Sequence, residues 1–258
     1  MYVNFQFFFR RAEMKKIMYK GAAFITILRH PSTQFESMFD YYGFKGRFGT
    51  NLAGFANEPR RYYSREGTRP MHSSLNPSLY DLGVSKPDLS NTDTIKRKIY
   101  ALEEEFNLVL ISEYLPESLV LLKDMMCWDF EDVTYFSANA RTKTKVDQLS
   151  ERTFAQLYKW NRGDALLYEH FNNTLWRRIR AYGLERMASD VRRLEKMNEE
   201  LALICLSGTK QEKSVRSVVS RYVLREEAKN DPRCVRMIRP AVEYLGYLKR
   251  KHKMKINH

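Results

Sequence analysis

The chain has 258 residues, carries 44 Lys+Arg against 31 Asp+Glu, and has a formal net charge of +13. Apolar residues make up 43%, with only 11 Gly and 8 Pro, which excludes a disordered tail and a collagenous or low-complexity chain. The positive excess calls for an anionic partner, and composition leaves nucleic acid, an acidic membrane and a phosphate- or sulfate-bearing ligand open. Cys127, Cys205 and Cys234 form no dense disulfide framework and have no zinc-site spacing. The longest apolar stretch, Phe5 to Phe9, falls far short of the ~20 residues a bilayer span needs. The first residues also lack the regions of a secretory signal.

In chain order, Tyr2 to Phe9 reads as an aromatic strand. Arg10 to Met18 reads as a charged helix, with Met14, Ile17 and Met18 at helical spacing and Gly21 at its end. Ala22 to Leu28 is a continuous apolar run, the mark of a strand covered on both faces. Strand, helix and strand in succession predict a βαβ unit and a parallel sheet. Phe35, Met38, Phe39 and Tyr42 then recur at i, i+3, i+4 and i+7, a helix closed by Gly43. Lys45 to Asn91 is rich in Gly, Pro, Ser, Asn, Arg and Tyr and reads as a long irregular excursion, with short helices near Leu52 and Leu79. Thr94 to Phe106 reads as a helix and Leu108 to Ile111 as a second buried strand. Pro116 opens another helix, with Leu119, Leu122, Lys123 and Met126 on its inner face. Val133 to Phe136 reads as a third strand. Beyond Leu149 the chain is mainly helical. One stripe runs Leu167, Phe171, Leu175, Ile179 and Tyr182; after Gly183 a second runs Leu184, Met187, Val191, Leu194 and Leu201. The basic run from Lys249 to His258 is expected to fray.

The stretch that carries chemistry is Ile25 to Tyr42, ITILRHPSTQFESMFDYY. A buried strand ends in Arg29, Pro31 turns the chain, and a helix follows. Arg29 offers a planar fork to a phosphate at the carboxyl end of the strand, where helix N-terminal N–H groups also point. Ser37 lies away from the Phe35 stripe and faces an oxyanion. A strand-end salt bridge is the alternative role for Arg29. Glu113, at the carboxyl edge of the second strand, orients a basic side chain or an acceptor, or is a helix-entry carboxylate. Arg141 reaches the nucleotide or lies in a solvated turn. Arg60 and Tyr62, with Arg61 and Tyr63, form either an acceptor- or nucleotide-facing patch or a solvated loop. Cys127 reads as a small core hydrophobe, and His170 as packed or exposed rather than catalytic. Basic residues are spread along the chain without a nucleic-acid motif, so no nucleic-acid partner is expected.

Arg29-His30-Pro31 with Ser37 resembles the 3′-phosphate motif of sulfotransferases that use 3′-phosphoadenosine-5′-phosphosulfate (PAPS), with His30 where Asp or Asn is usual. The segment FITILRHPSTQFESMFDYY resembles the galactosylceramide/galactose-3-O-sulfotransferase family more specifically. Phe106 to Arg141, Tyr158 to Val191 and the Cys205…Cys234 pair resemble the same family in the same order. The resemblance covers nearly the whole chain. It implies an α/β, P-loop-nucleotide-kinase-like sulfotransferase fold with a parallel sheet and a helix-rich C-terminal half. The whole chain, 1–258, would be one such domain, with a sheet core over 1–150 and a helical part over 151–258. The implied reaction moves a sulfuryl group from PAPS, without a metal, to the 3-hydroxyl of a terminal β-galactose on a glycolipid or glycoprotein glycan. Arg29, Ser37 and Arg141 would bind the nucleotide, Cys205 and Cys234 would pair, and Asn172 in Asn172-Asn173-Thr174 would carry a glycan. The family works on the lumenal side of the Golgi membrane. Its 5′-phosphosulfate loop and membrane anchor precede the 3′-phosphate motif and find no match in the 28 residues before Arg29. An N-terminally incomplete domain, retaining partial nucleotide binding without catalysis, is therefore the alternative expectation. The family's His-containing segment near the opening strand has no counterpart at Phe5 to Phe9, so no base is assigned, and His30 is not given that role.

Overall fold

The computed structural model describes residues 9–64, 73–136, 149–213 and 218–256. The contacts gather these into two compact units. One contains the described residues up to Val133 and those from Leu149 to Leu194; the other contains Thr134 to Phe136 and the residues from Glu195 on. The expected opening strand and Arg141 lie outside the described residues.

The first unit begins with α1 (Arg11–Ile17), and Gly21 turns the chain at φ 89°. β1 (Ile25–Leu28) pairs in parallel with β2 (Leu108–Ile111), with Leu28 opposite Ile111. All four β2 residues are buried, as a strand packed on both faces requires. β1 does not match the expectation of two covered faces: Leu28 is buried, but Ile27 is 51% exposed. A βαβ passage follows β1. It runs through α2 (Pro31–Tyr41) and a series of helices to β2.

That series includes the short helices expected near Leu52 and Leu79, within a stretch otherwise read as irregular. It comprises α3 (Phe44–Phe48), α4 (Leu52–Asn57), α5 (Pro59–Tyr63), α6 (Pro77–Asp81) and α7 (Thr92–Glu105). Gly43 and Gly49 flank α3 at φ 66° and 65°, left-handed turns that cost glycine little. Phe35 and Phe39 of α2 pack with Phe44, Phe48, Phe55 and Leu157 into one core. Each fully buried phenyl contributes about 1.5–3 kcal/mol of transfer free energy.

After β2, α8 (Leu115–Met126) buries Ser118, Val120, Leu121 and Leu122, so that of the predicted face only Leu122 is fully buried. Its apolar run leaves periodicity no single stripe to select. Cys127 caps α8 in the left-handed region at φ 53° and is exposed, so it is not a core residue. The predicted third strand is absent: a 3-10 turn covers Phe130 to Val133, and residues 134–136 are irregular. α9 (Glu151–Trp160) leads to α10 (Arg162–Tyr182), whose stripe Leu167, Phe171, Leu175 and Ile179 is buried as expected. Gly183 ends α10, and α11 (Leu184–Cys205) follows with Met187 and Leu194 buried and Leu184 exposed.

The second unit holds an antiparallel hairpin that periodicity missed, β3 (Leu206–Lys213) and β4 (Val218–Leu224). β3 reads LSGTKQEK, with no apolar alternation to mark it. Cys205 is bonded to Cys234 of α12 (Pro232–Ile238), with Cα atoms 5.4 Å apart, as the resemblance implied. Both cysteines are buried with Phe136, Leu224 and Ala228. α13 (Ala241–Ile256) carries the basic run as helix as far as Ile256, and the last two residues lie outside the described ones. Among the described residues, no helix is long and apolar enough to cross a membrane.

Candidate nucleotide and acceptor sites

The turn from β1 to α2 is fixed by His30. Its imidazole Nδ1 accepts the Ser32 N–H at 3.3 Å, so the ring caps α2 as Asp or Asn would. A neutral ring that accepts at Nδ1 carries its proton on Nε2. Phe154 stacks on the imidazole at 4.7 Å and Tyr158 at 5.3 Å, while Tyr168 meets it edge-on at 5.3 Å. Burial lowers the His30 pKa, and the nearby Glu113 carboxylate partly opposes that shift. Glu113 does more than enter a helix. It accepts the His30 backbone N–H at 2.9 Å and the Tyr168 hydroxyl at 3.3 Å, tying the end of β2 to the turn after β1. Burial and the Glu113 carboxylate raise the Tyr168 pKa, so this hydroxyl stays a donor. The Ser32 hydroxyl donates to the Phe154 carbonyl at 2.8 Å and docks α9 on α2.

Arg29 is exposed at this turn. Its Nε donates to the Thr33 hydroxyl at 3.0 Å, and Thr33 in turn donates to the His30 carbonyl at 3.1 Å. Neither terminal guanidinium nitrogen bonds to a described residue, so the fork is held at its base and open at its tip. It lines a cavity of about 300 Å³ with β1, Gln34, Ser112, Ser78 and Asp81. Ser37 is not in the described lining of that cavity. It is the seventh residue of α2, half-buried, one turn beyond Thr33 on the same helix face. Thr33 is the residue that sequence reasoning missed, although Arg29 and Thr33 stand four apart.

A second cavity, of about 1010 Å³, has Arg60, Arg61 and Tyr63 of α5 on one side and Lys159, Trp160 and Arg162 on the other. Tyr62 does not face it. Its ring packs against Phe48 at 5.9 Å and Phe55 at 5.7 Å, so Tyr63 is the aromatic of this pair that reaches the cavity.

A buried polar network holds the wall of this cavity. Asn76, in the left-handed region at φ 46°, donates its backbone N–H to Asn161 Oδ1 at 2.9 Å and its side-chain amide to the Leu89 carbonyl at 2.7 Å. Asp164 accepts the N–H groups of Ser78 and Leu79, each at 2.9 Å, at the start of α6. Burial pushes the Asp164 pKa up to about 7, and those backbone bonds oppose the rise. A Cβ at Gly163 would lie 2.7 Å from Asn76 Nδ2, so only glycine lets α10 approach this closely.

The galactose-3-O-sulfotransferase family model matches residues 3–252. The chain belongs to this family. Galactosylceramide sulfotransferase of Bos taurus is 40% identical over 206 residues, covering 78% of this chain and 48% of that one. The Mus musculus galactosylceramide sulfotransferase is 34% identical over 263 residues, with 93% and 62% covered. Galactose-3-O-sulfotransferase 3 of Bos taurus is 34% identical over 271 residues, with 95% and 63% covered. The chain thus spans between 48% and 63% of the length of these relatives. No solved structure matches it. The family is one of sulfotransferases by name. The chain's mixed, mainly helical architecture with a small parallel sheet is consistent with a sulfotransferase fold.

Asn172 of the sequon lies in the middle of α10, with its side-chain oxygen buried. His170 bonds Glu103 at 2.8 Å and packs edge-on against Tyr100 and Phe171. Among the described residues, no group of His, Cys, Asp or Glu gathers at metal-binding distance.

Proposed function

We propose that this protein transfers a sulfuryl group from PAPS to the 3-hydroxyl of a terminal β-galactose on a glycolipid or glycoprotein glycan. The observation that carries this reading is the Arg29 fork, anchored at Nε by Thr33 and open at its terminal nitrogens beside the start of α2. That arrangement fits the 3′-phosphate of the nucleotide: two parallel charge-assisted bonds from arginine, with helix N–H groups pointing the same way. PAPS supplies an activated sulfuryl group. In the transfer, the bond from sulfur to the bridging phosphate oxygen breaks, a bond to the galactose O3 forms, and the O3 proton leaves to a base. The contribution of Arg29, His30 and Glu113 is positioning: they hold the nucleotide's far end so that the reacting end is aligned.

The nucleotide reading also accounts for part of the net charge, since a donor bearing phosphates and sulfate is drawn by a cationic surface. The Cys205–Cys234 disulfide supports an oxidising compartment such as the Golgi lumen. The test is incubation of the purified chain with ³⁵S-labelled PAPS and galactosylceramide, lactosylceramide or a galactose-terminated glycan. The expected result is a galactose 3-O-sulfate identified by NMR. Adenosine 3′,5′-bisphosphate binding with no transfer to any acceptor would favour a nucleotide-binding relative without catalysis.

A further inference from the structure

The 1010 Å³ cavity shares no lining residue with the strand-end cavity beside Arg29. Its volume is at the upper end of the roughly 300–1,000 Å³ of ligand pockets, with room for more than one sugar ring. Trp160 is held in one orientation before any ligand arrives. Its Nε1–H donates to the Ser74 carbonyl at 2.6 Å, and its ring meets Tyr63 edge-on at 5.7 Å and Phe55 at 6.4 Å. A fixed indole next to a second aromatic ring suits a flat ligand with one apolar face.

The polar side of the cavity points the same way. Arg61 is paired with Glu58 at 2.9 Å, and Arg162 with Glu169 at 3.0 Å. Arg60 and Lys159 form no ion pair with a described residue. Their N–H groups are therefore available at the mouth to donate to hydroxyls. A pyranose has this chemistry: C–H groups on one face and hydroxyls around the rim. In galactose the axial 4-hydroxyl leaves the opposite face of C3, C4 and C5 as a continuous apolar patch. The cavity also lies next to the donor side. Asn76 lines it, while Ser78 and Asp81, on the same short segment, line the strand-end cavity with Arg29. The two cavities are thus lined by neighbouring positions of one segment, which Asp164 holds through Asn76, Ser78 and Leu79.

We infer that this cavity is the acceptor site. The apolar face of the terminal galactose stacks on Trp160, and Arg60 and Lys159 donate to its hydroxyls. This rests on the sulfotransferase reading, and the experiment separates the two. Saturation-transfer NMR with methyl β-galactoside and lactose is run on the purified chain, with saturating adenosine 3′,5′-bisphosphate, whose own binding is measured by calorimetry. Both galactosides are expected to bind with saturation transfer concentrated on H3, H4 and H5. Trp160→Ala should weaken them by about tenfold or more, and Arg60→Ala, at an exposed position, by about three- to tenfold. Nucleotide affinity should stay within about twofold in both variants. Nucleotide binding without galactoside binding, or galactoside binding unchanged in both variants, overturns the acceptor assignment and leaves the nucleotide site standing. Failure of the wild-type chain to bind the nucleotide overturns the reading beneath it.

Discussion

The strand-end turn and the large cavity are built in opposite ways. The turn is local: Arg29, His30, Pro31 and Thr33 lie within five residues, and a single distant carboxylate, Glu113, anchors them. The cavity is assembled from separated segments around Arg60, Asn76, Ile95 and Trp160, and its shape depends on the buried network of Asn76, Asn161 and Asp164. A contiguous site reads out as a motif and fails by losing one contact. A dispersed site leaves no motif and fails when its shared scaffold shifts.

The largest expected effect tests the local site. Arg29→Ala should reduce adenosine 3′,5′-bisphosphate affinity by about a hundredfold, since two charge-assisted bonds of roughly 1.5–3 kcal/mol are lost. Arg29→Lys, which keeps the charge but loses the fork, should fall between wild type and alanine. Calorimetric titration measures both. Next comes the shared scaffold. Gly163→Ala forces a Cβ against Asn76 and should destabilise the fold by about 2 kcal/mol. Unlike Arg29→Ala, it should weaken galactoside and nucleotide binding together, as denaturation and titration would reveal. An effect on one ligand alone would break the idea of one segment lining both cavities.

Asp164 gives a pH signature of similar size. Its folded pKa of about 7 is raised above the ordinary value of 3.8, so its contribution is full below pH 4. It is lost as pH rises towards 7, because the unfolded chain ionises there while the folded carboxyl still holds its proton. Relative to Asp164→Asn, the wild-type chain should therefore lose about 3 kcal/mol between pH 4 and 7. Thermal melts of both proteins across that range check the slope. The smallest effect belongs to the His30 cap. His30→Ala should cost about 1 kcal/mol and His30→Asn only a few tenths, because asparagine restores the cap. The His30 pKa is lowered from 6.5, so its contribution is present above that pH and fades as pH falls below it.

The same contrast explains what the sequence disclosed. The parallel pair β1–β2, the Phe35 helix face and the α10 stripe are long or regular enough for periodicity to detect. The placing of Arg29 after β1 and before α2 was legible because strand and turn are contiguous in sequence, whereas its partner Thr33 was missed. The short helices α4 and α6 were legible near Leu52 and Leu79, whereas α3 and α5 were not, because five residues make too short a window and the Phe core forms only when the elements pack together. Tyr62 and Tyr63 are neighbours of the same type, and only the fold sends one to the core and the other to the cavity. Cys127 was misplaced because a left-handed cap at an exposed helix end overrides its preference for the interior. Gly163 and Asp164 carried no sequence signal, since their partners lie more than eighty residues away.

On the proposed function, the turn after β1 recognises a 3′-phosphate. Calorimetric titration of the wild-type chain with adenosine 3′,5′-bisphosphate and with adenosine 5′-monophosphate tests it most directly. The bisphosphate should bind about a hundredfold more tightly, and Arg29→Ala should remove that preference. Equal affinity for the two nucleotides, or a preference that survives Arg29→Ala, would contradict the account.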